Sequence, residues 1–357
     1  MEKAAGSIAR TVLGDVSVSQ LGITLTHEHL FFDFCCYWQK PTEHSHKNIA
    51  YSPVGMPILG DLRMDPLGNQ DNCLMGDKDT VVEEVIDFRT MGGKTIVDVT
   101  LNTIGRDPKA LREVASRTGI NIIMGCGTYV QLAHPEGFRE LSQDDVAEAI
   151  VQEVTVGVGT TGVRAGIIGE IGISYPQMTK DEEKSLRAAA IAQRITGAPL
   201  SVHIGGWNRQ AFEVLEIIDN AGGDPSRTVI CHMNPCYDDQ QYQQSVARTG
   251  AYLGYDMIGM QYRFPESASS PEKFLQCPSD TESASGILAL IEAGFQEHIL
   301  LSHDHFTKTQ LKHYGGGGYA YILRHFLPLL KQRGVTDEII NGILIDNCAR
   351  FLALATV

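Results

Sequence analysis

The sequence has no stretch of about 20 uninterrupted apolar residues, which argues against a membrane-spanning helix. Its opening, MEKAAGSIARTVLGD, lacks the long apolar core of a secretory signal, so a soluble, cytoplasmic protein is expected. The eight cysteines, at 35, 36, 73, 126, 231, 236, 277 and 348, form no CxxC pair. They read as reduced, mostly buried thiols, neither a disulfide framework nor a redox motif. Positive charge is scarce: 29 Lys and Arg face 43 Asp and Glu, for a formal net charge of -14. That balance, with no basic tail, argues against nucleic acid or an anionic membrane as a general partner. The glycine run at 315–318 lacks the Lys-Ser/Thr that completes a phosphate loop, and reads as a mobile loop or a close approach of backbone to ligand.

What is present is a globular composition, 43% hydrophobic and 20% charged over 357 residues, without a short internal repeat or a linker that would mark a boundary. Short apolar or β-branched runs recur at 23–26, 95–99, 121–124, 166–169, 200–202, 228–230, 251–254 and 299–301. Several are apolar almost throughout, as strands buried on both faces should be. Helical patterns lie between them, over 79–91, 142–156 and 179–196, with the last near 319–331 and 336–345. Thr179 and Glu182 have capping-box spacing, and Gly197 with Pro199 stops that helix. Eight strands alternating with helices predict a single-domain (β/α)₈ TIM barrel over residues 1–357, with an open doubly wound sheet as its rival. Residues 34–76 show no clear periodicity and are expected to form a long first loop above the sheet, a lid or a binding surface.

The chemistry sits at strand ends. Thr26-His27-Glu28-His29 places two imidazoles two residues apart, on the same side of a strand. Later runs finish on Glu170, His203, His232 and, in Leu301-Ser302-His303-Asp304, on Asp304. One His-x-His is weak evidence. Five ligand-bearing positions on one barrel rim are strong evidence, because imidazole and carboxylate clusters are what divalent ions require.

These motifs, THEH, GEIG, VH, CH and SHDHFTKT followed by GGGGY, resemble the phosphotriesterase family of the amidohydrolase superfamily, and within it the phosphotriesterase-related branch. The resemblance runs from Thr26 to Asn347-Cys-Ala-Arg-Phe. It implies two divalent ions per chain, with zinc expected and manganese, cobalt or iron also compatible. His27, His29 and Asp304 would hold the more buried ion and His203 and His232 the more exposed one. Glu170 would bridge them, where the founding enzymes use a carboxylated lysine. Two divalent ions against Glu170, Asp304 and a bridging hydroxide leave one net positive charge, suited to a developing oxyanion. Asp304 would take the hydroxide's proton and deliver it to the leaving group.

The implied reaction is hydrolysis of a small carboxylic ester, lactone or amide, with phosphotriesters at most secondary. Two alternatives stand beside it. A mononuclear deaminase is disfavoured because Ile204-Gly-Gly follows His203 where a proton-shuttling Glu is needed. A catalytically weak, metal-retaining ligand-binding protein is the other. Tyr129 matches an aromatic position near the metals of related lactonases, where it bonds substrate or packs the mouth. Arg106, in Gly105-Arg106-Asp107, meets an anionic substrate group or braces local backbone. Trp207, just after His203, is expected to line the pocket. Gly254-Tyr255-Asp256 carries no relay histidine, so water or Tyr255 is expected to conduct the proton out. The resemblance also suggests a homodimer.

Overall fold

A computed structural model describes residues 7–356 apart from 39, 42–43 and 268–269. Eight parallel strands form one sheet: β1 (Thr24–Glu28), β2 (Thr95–Asp98), β3 (Asn121–Cys126), β4 (Ile167–Gly172), β5 (Leu200–His203), β6 (Thr228–Ile230), β7 (Tyr252–Tyr255) and β8 (Ile299–Leu301). They pair in chain order, each crossover returning to the next position, as repeated βαβ units do. The sheet curls until β8 meets β1. There His27 N–H donates to Ser302 Oγ at 2.9 Å, and Asp304 N–H donates to the His27 carbonyl at 3.2 Å.

Helices α1 (Lys78–Thr90), α2 (Pro108–Thr118), α3 (Gln143–Thr155), α4 (Lys180–Thr196), α5 (Ala211–Asn220), α6 (Gln240–Arg248) and α7 (Asp280–Glu292) follow β1 to β7. The chain then ends in helical segments from Ile322 to Leu352. The capping boxes read from sequence are formed: Ser142 and Asp145 open α3, and Thr179 and Glu182 open α4. The predicted barrel is therefore the observed fold. No helix among the described residues is long and apolar enough to cross a membrane, and their cysteines are free thiols.

Two apolar layers surround the sheet. Outward residues such as Leu25, Ile96, Ile168 and Leu253 pack under the helices. Inward ones, including Val97, Ile123, Ile167, Val229 and Leu300, fill the lower barrel. Val18 and Leu21, near the N-terminal hairpin (Ile8–Thr11 with Gly14–Ser17), join Phe351 and Leu352 beneath them. Apolar packing closes this end. The opposite rim, where the strands finish, carries the polar groups.

β1 and β4 run further than their apolar patterns suggest, and both contain a register shift. Leu25 pairs with Ile96 but Glu28 with Asp98, and Ile168 pairs with Leu200 but Ile171 with Val202. Each shift inserts one extra residue, a bulge that re-aims the side chains beyond it. It brings His27 and Glu170 to the barrel mouth.

The first loop is more ordered than its sequence suggests. Residues 34–76 include helices His44–Tyr51 and Leu59–Met64 and the strand Leu74–Met75, which pairs with Phe32–Asp33. Lys308 binds Asp71 at 2.6 Å and Thr309 N–H donates to Asn72 at 2.9 Å, tying this loop to the one after β8.

The β4 bulge depends on Gly169, at φ +117°, where an added Cβ would stand 2.2 Å from the Ser201 carbonyl oxygen. Gly169→Ala is expected to cost on the order of 1–3 kcal/mol or more, since backbone strain adds to a backbone clash. Denaturant unfolding checks this, and an unchanged midpoint would contradict the tight approach.

Candidate metal centre

Six side chains from five strand ends converge at the rim: His27, His29, Glu170, His203, His232 and Asp304. Glu170 is buried at their centre. Its Oε1 lies 3.2 Å from His29 Nε2, and its Oε2 lies 3.4 Å from His27 Nε2 and 3.1 Å from His203 Nδ1. One carboxylate thus faces both histidine groups. Asp304 Oδ1 stands 3.2 Å from His29 Nε2 and 3.5 Å from His27 Nε2. His232 Nε2 and His203 Nδ1 face each other at 2.8 Å.

The distances from the carboxylates to His27 and His29 fit shared ions better than hydrogen bonds. Donor atoms about 2.1 Å from one tetrahedral ion stand about 3.4 Å from each other. The carboxylate–His27 and carboxylate–His29 separations cluster around that value. His27 Nδ1 and Nε2 and His29 Nε2 are buried without a hydrogen-bond partner, an expensive arrangement unless something else satisfies them. His232 Nε2 and His203 Nδ1, at 2.8 Å, are close enough for one ring to donate its N–H to the other.

Electrostatics point the same way. Burial alone would raise the carboxyls, yet the surrounding rings hold Glu170 and Asp304 well below the usual carboxylate range. Burial would push His29 down, but Asp304 and Glu170 outweigh it and raise the ring to about 9. His27 and His232 are raised too, against burial, chiefly by Glu170 and Asp256 respectively. His203 is lowered, with burial dominating. The cluster is a charged pair of carboxylates inside a cage of imidazoles.

The backbone reveals how two of these side chains are aimed. Among the described residues, the two non-glycine positions in the left-handed region are His232 (φ 58°) and Asp304 (φ 57°). Such conformations persist where surrounding structure holds them, and they concentrate at functional sites. Asp256 holds the first: its Oδ1 accepts the His232 backbone N–H and lies 2.9 Å from His232 Nδ1. Asp256 Oδ2 is also 3.5 Å from His27 Nδ1. Carboxylates that orient metal-binding imidazoles commonly occupy this place. Sequence reasoning missed Asp256, although a carboxylate just past β7 was the available signal. It also missed Asp98, which accepts the N–H groups of Leu30 and Thr100, while Thr100 Oγ1 sits 2.9 Å from His29 Nδ1.

The expected substrate contacts divide. Tyr129 lies at the mouth with its hydroxyl 3.4 Å from His203 Nδ1, inside an aromatic group with Phe34 and Tyr37. Trp207 is on the rim, where its indole N–H donates to the Gln276 carbonyl at 3.0 Å and its ring meets Phe264. Arg106 does not face the cluster. Its buried guanidinium forks onto Glu153 at 2.6 and 2.9 Å and donates to the Gly125 carbonyl, bracing β3 against α3. Tyr255 is also corrected. Strand alternation turns it outward with Leu253, and its hydroxyl donates to Gln243 beneath α6 at 2.6 Å, so Asp256 takes the inward place.

Comparison with known proteins agrees with this architecture. Residues 7–352 match the model of the phosphotriesterase family. An N-acetyltaurine hydrolase from Danio rerio is 37% identical, with 96% of this chain and 97% of that protein covered. The crystal structure of a resiniferatoxin-binding protein from Rhodobacter sphaeroides superposes with a TM-score of 0.93 at 43% identity, covering 98% and 97% of the two chains. A lactonase from Listeria monocytogenes gives 0.78 at 28% identity, covering 98% and 100%. With its barrel, its rim cluster and a match along nearly its whole length, the chain belongs to the phosphotriesterase family.

Proposed function

We propose that this protein hydrolyses a small amide, lactone or carboxylic ester, using two divalent ions held by His27, His29, Glu170, His203, His232 and Asp304. One observation carries the reading: buried ring nitrogens without hydrogen-bond partners stand at ion-sharing distances from two ionised carboxylates. N and O donors of this kind suit zinc, and manganese, cobalt and iron also fit. In this reading His27, His29 and Asp304 would hold the deeper ion and His203 and His232 the outer one, and Glu170 groups with His27 and His29 on one side and with His203 and His232 on the other. Bound there, the ions would lower the pKa of a shared water and polarise the substrate's carbonyl oxygen.

The chain's own groups supply the rest. Asp304 has one oxygen turned to the His27 and His29 rings, leaving the other to receive a proton and pass it to the leaving group. Tyr129 presents a buried hydroxyl beside His203 and is placed to orient a substrate oxygen. Phe34, Tyr37 and Phe306 surround that approach with apolar surface, which keeps bulk water from the reacting bond. Amide cleavage is favoured by the relatives named N-acetyltaurine hydrolase, and lactone opening by the lactonase neighbour. The neighbour described as resiniferatoxin-binding supports a second reading, a metal-retaining protein that binds its ligand without turning it over.

Elemental analysis of the purified chain is expected to find two ions, and Glu170→Ala to lose most of both metal and turnover. Full metal content in that variant would remove Glu170 from the bridge. Screened on amides, lactones, esters and phosphotriesters, the parent should hydrolyse one of the first three classes best. On that substrate Asp304→Asn should lower kcat by about 10²–10⁴, the usual worth of a positioned proton acceptor, with KM changed far less. Tight binding without hydrolysis anywhere in the panel would favour the binding reading. Because the carboxylates hold His29 protonated up to about 9, zinc uptake at neutral pH is expected to release protons, and affinity to rise as pH climbs towards that value. Calorimetry in two buffers of different ionisation enthalpy reads this directly, and uptake without proton release would show that the rings are already neutral before the metal arrives.

A further inference from the structure

Glu28 lies between the two β1 histidines in sequence, yet it touches neither ion-facing group. Its fully buried carboxylate turns to the segment after β8 and accepts five hydrogen bonds there. Oε1 takes Ser302 O–H at 2.7 Å, His303 N–H at 2.9 Å and His303 Nδ1–H at 2.7 Å. Oε2 takes His305 N–H at 3.2 Å and His305 Nδ1–H at 2.8 Å. His303 Nε2 accepts the Ile322 backbone N–H at 3.0 Å, so the ring's own proton belongs on Nδ1, directed at Glu28. Glu28, His303 and His305 thus form a hydrogen-bonded knot in which both Glu28 oxygens and His303 Nε2 are already engaged.

The residue enclosed by that knot is Asp304. One Glu28 oxygen grips the backbone N–H before it and the other grips the backbone N–H after it, while Asp304 itself adopts φ 57°. Its own N–H donates to the His27 carbonyl at 3.2 Å, and its carbonyl accepts from Gln310 at 2.9 Å. The His305 ring also packs edge-on against Tyr319, whose hydroxyl donates to the His29 carbonyl at 2.9 Å. Resting on the metal reading proposed above, we infer that Glu28 is a positioning residue: it holds the turn after β8 in the left-handed conformation that aims Asp304 at the deeper ion.

The carboxylate form matters because all five partners are donors. In Glu28→Gln the amide nitrogen would meet donors in place of an acceptor, whichever way the amide turned. The turn would relax and Asp304 would leave its place.

The test loads the full-length parent and Glu28→Gln with zinc and follows release to a chromophoric chelator. Circular dichroism checks that both are folded. Loss of one of the two ions is expected to be at least about tenfold faster in Glu28→Gln, the effect typical of a group that orients a ligand. In an Asp304→Asn background the same substitution should add less than about threefold, because neighbours acting as a unit are not additive. Release at the parent rate, or the full acceleration in the Asp304→Asn background, overturns the role. Should Glu28→Gln fail to fold, Ser302→Ala and His305→Phe each remove a donor and are expected to speed release measurably; parent rates in both overturn it equally. A parent that takes up no zinc removes the metal reading and this role together, whereas a loaded parent matched by Glu28→Gln removes only the role of Glu28.

Discussion

A carboxylate shut away from water must be met by donors or cations, and the upper half of this barrel is organised around that requirement. Five acidic side chains are buried near the rim: Glu28, Asp98, Glu170, Asp256 and Asp304. Three of them, Glu28, Asp98 and Asp256, are answered by backbone N–H groups of the segments that follow β1, β2, β6 and β8. Glu170 and Asp304 are answered mainly by imidazole nitrogens. The first three hold turns in place so that the other two face the histidines.

This division explains why strain appears where it does. His232 and Asp304 both turn sharply out of their strands through the left-handed region, a conformation costing on the order of 1 kcal/mol or more for a residue with a Cβ. A hydrogen bond to a charged group contributes about 1.5–3 kcal/mol, so a buried carboxylate gripping the adjacent amide is enough to offset it. Asp256 does this at His232, and Glu28 does it on both sides of Asp304. The apolar floor beneath supplies a rigid base for the small displacements involved, because packed interiors yield little.

The aromatic rim gives the site its remaining character. Phe34 and Tyr37 come from the first loop, Tyr129 from the segment after β3 and Phe306 from the one after β8, so three separate connections meet above one cluster. The Lys308–Asp71 pair fixes two of those connections to each other. Within one barrel family, such loops are where differences in substrate are expected to lie, because the strands beneath are committed to holding the rim cluster.

The amino-acid sequence by itself determined the barrel and the six residues of the cluster, because apolar runs, capping boxes and His, Glu or Asp at strand ends are local patterns with local causes. Their phase along each strand was less secure. Tyr255 was expected at the mouth, but alternation turned it beneath α6 and gave its place to Asp256. Arg106 was open between substrate and backbone until Glu153, 47 positions away, claimed its guanidinium. The bulges in β1 and β4 and the left-handed turns at His232 and Asp304 also belong to the tertiary structure alone. Each is settled by a partner distant in the chain, the β2 and β5 registers for the bulges and Asp256 and Glu28 for the turns, and no local pattern records such a partner.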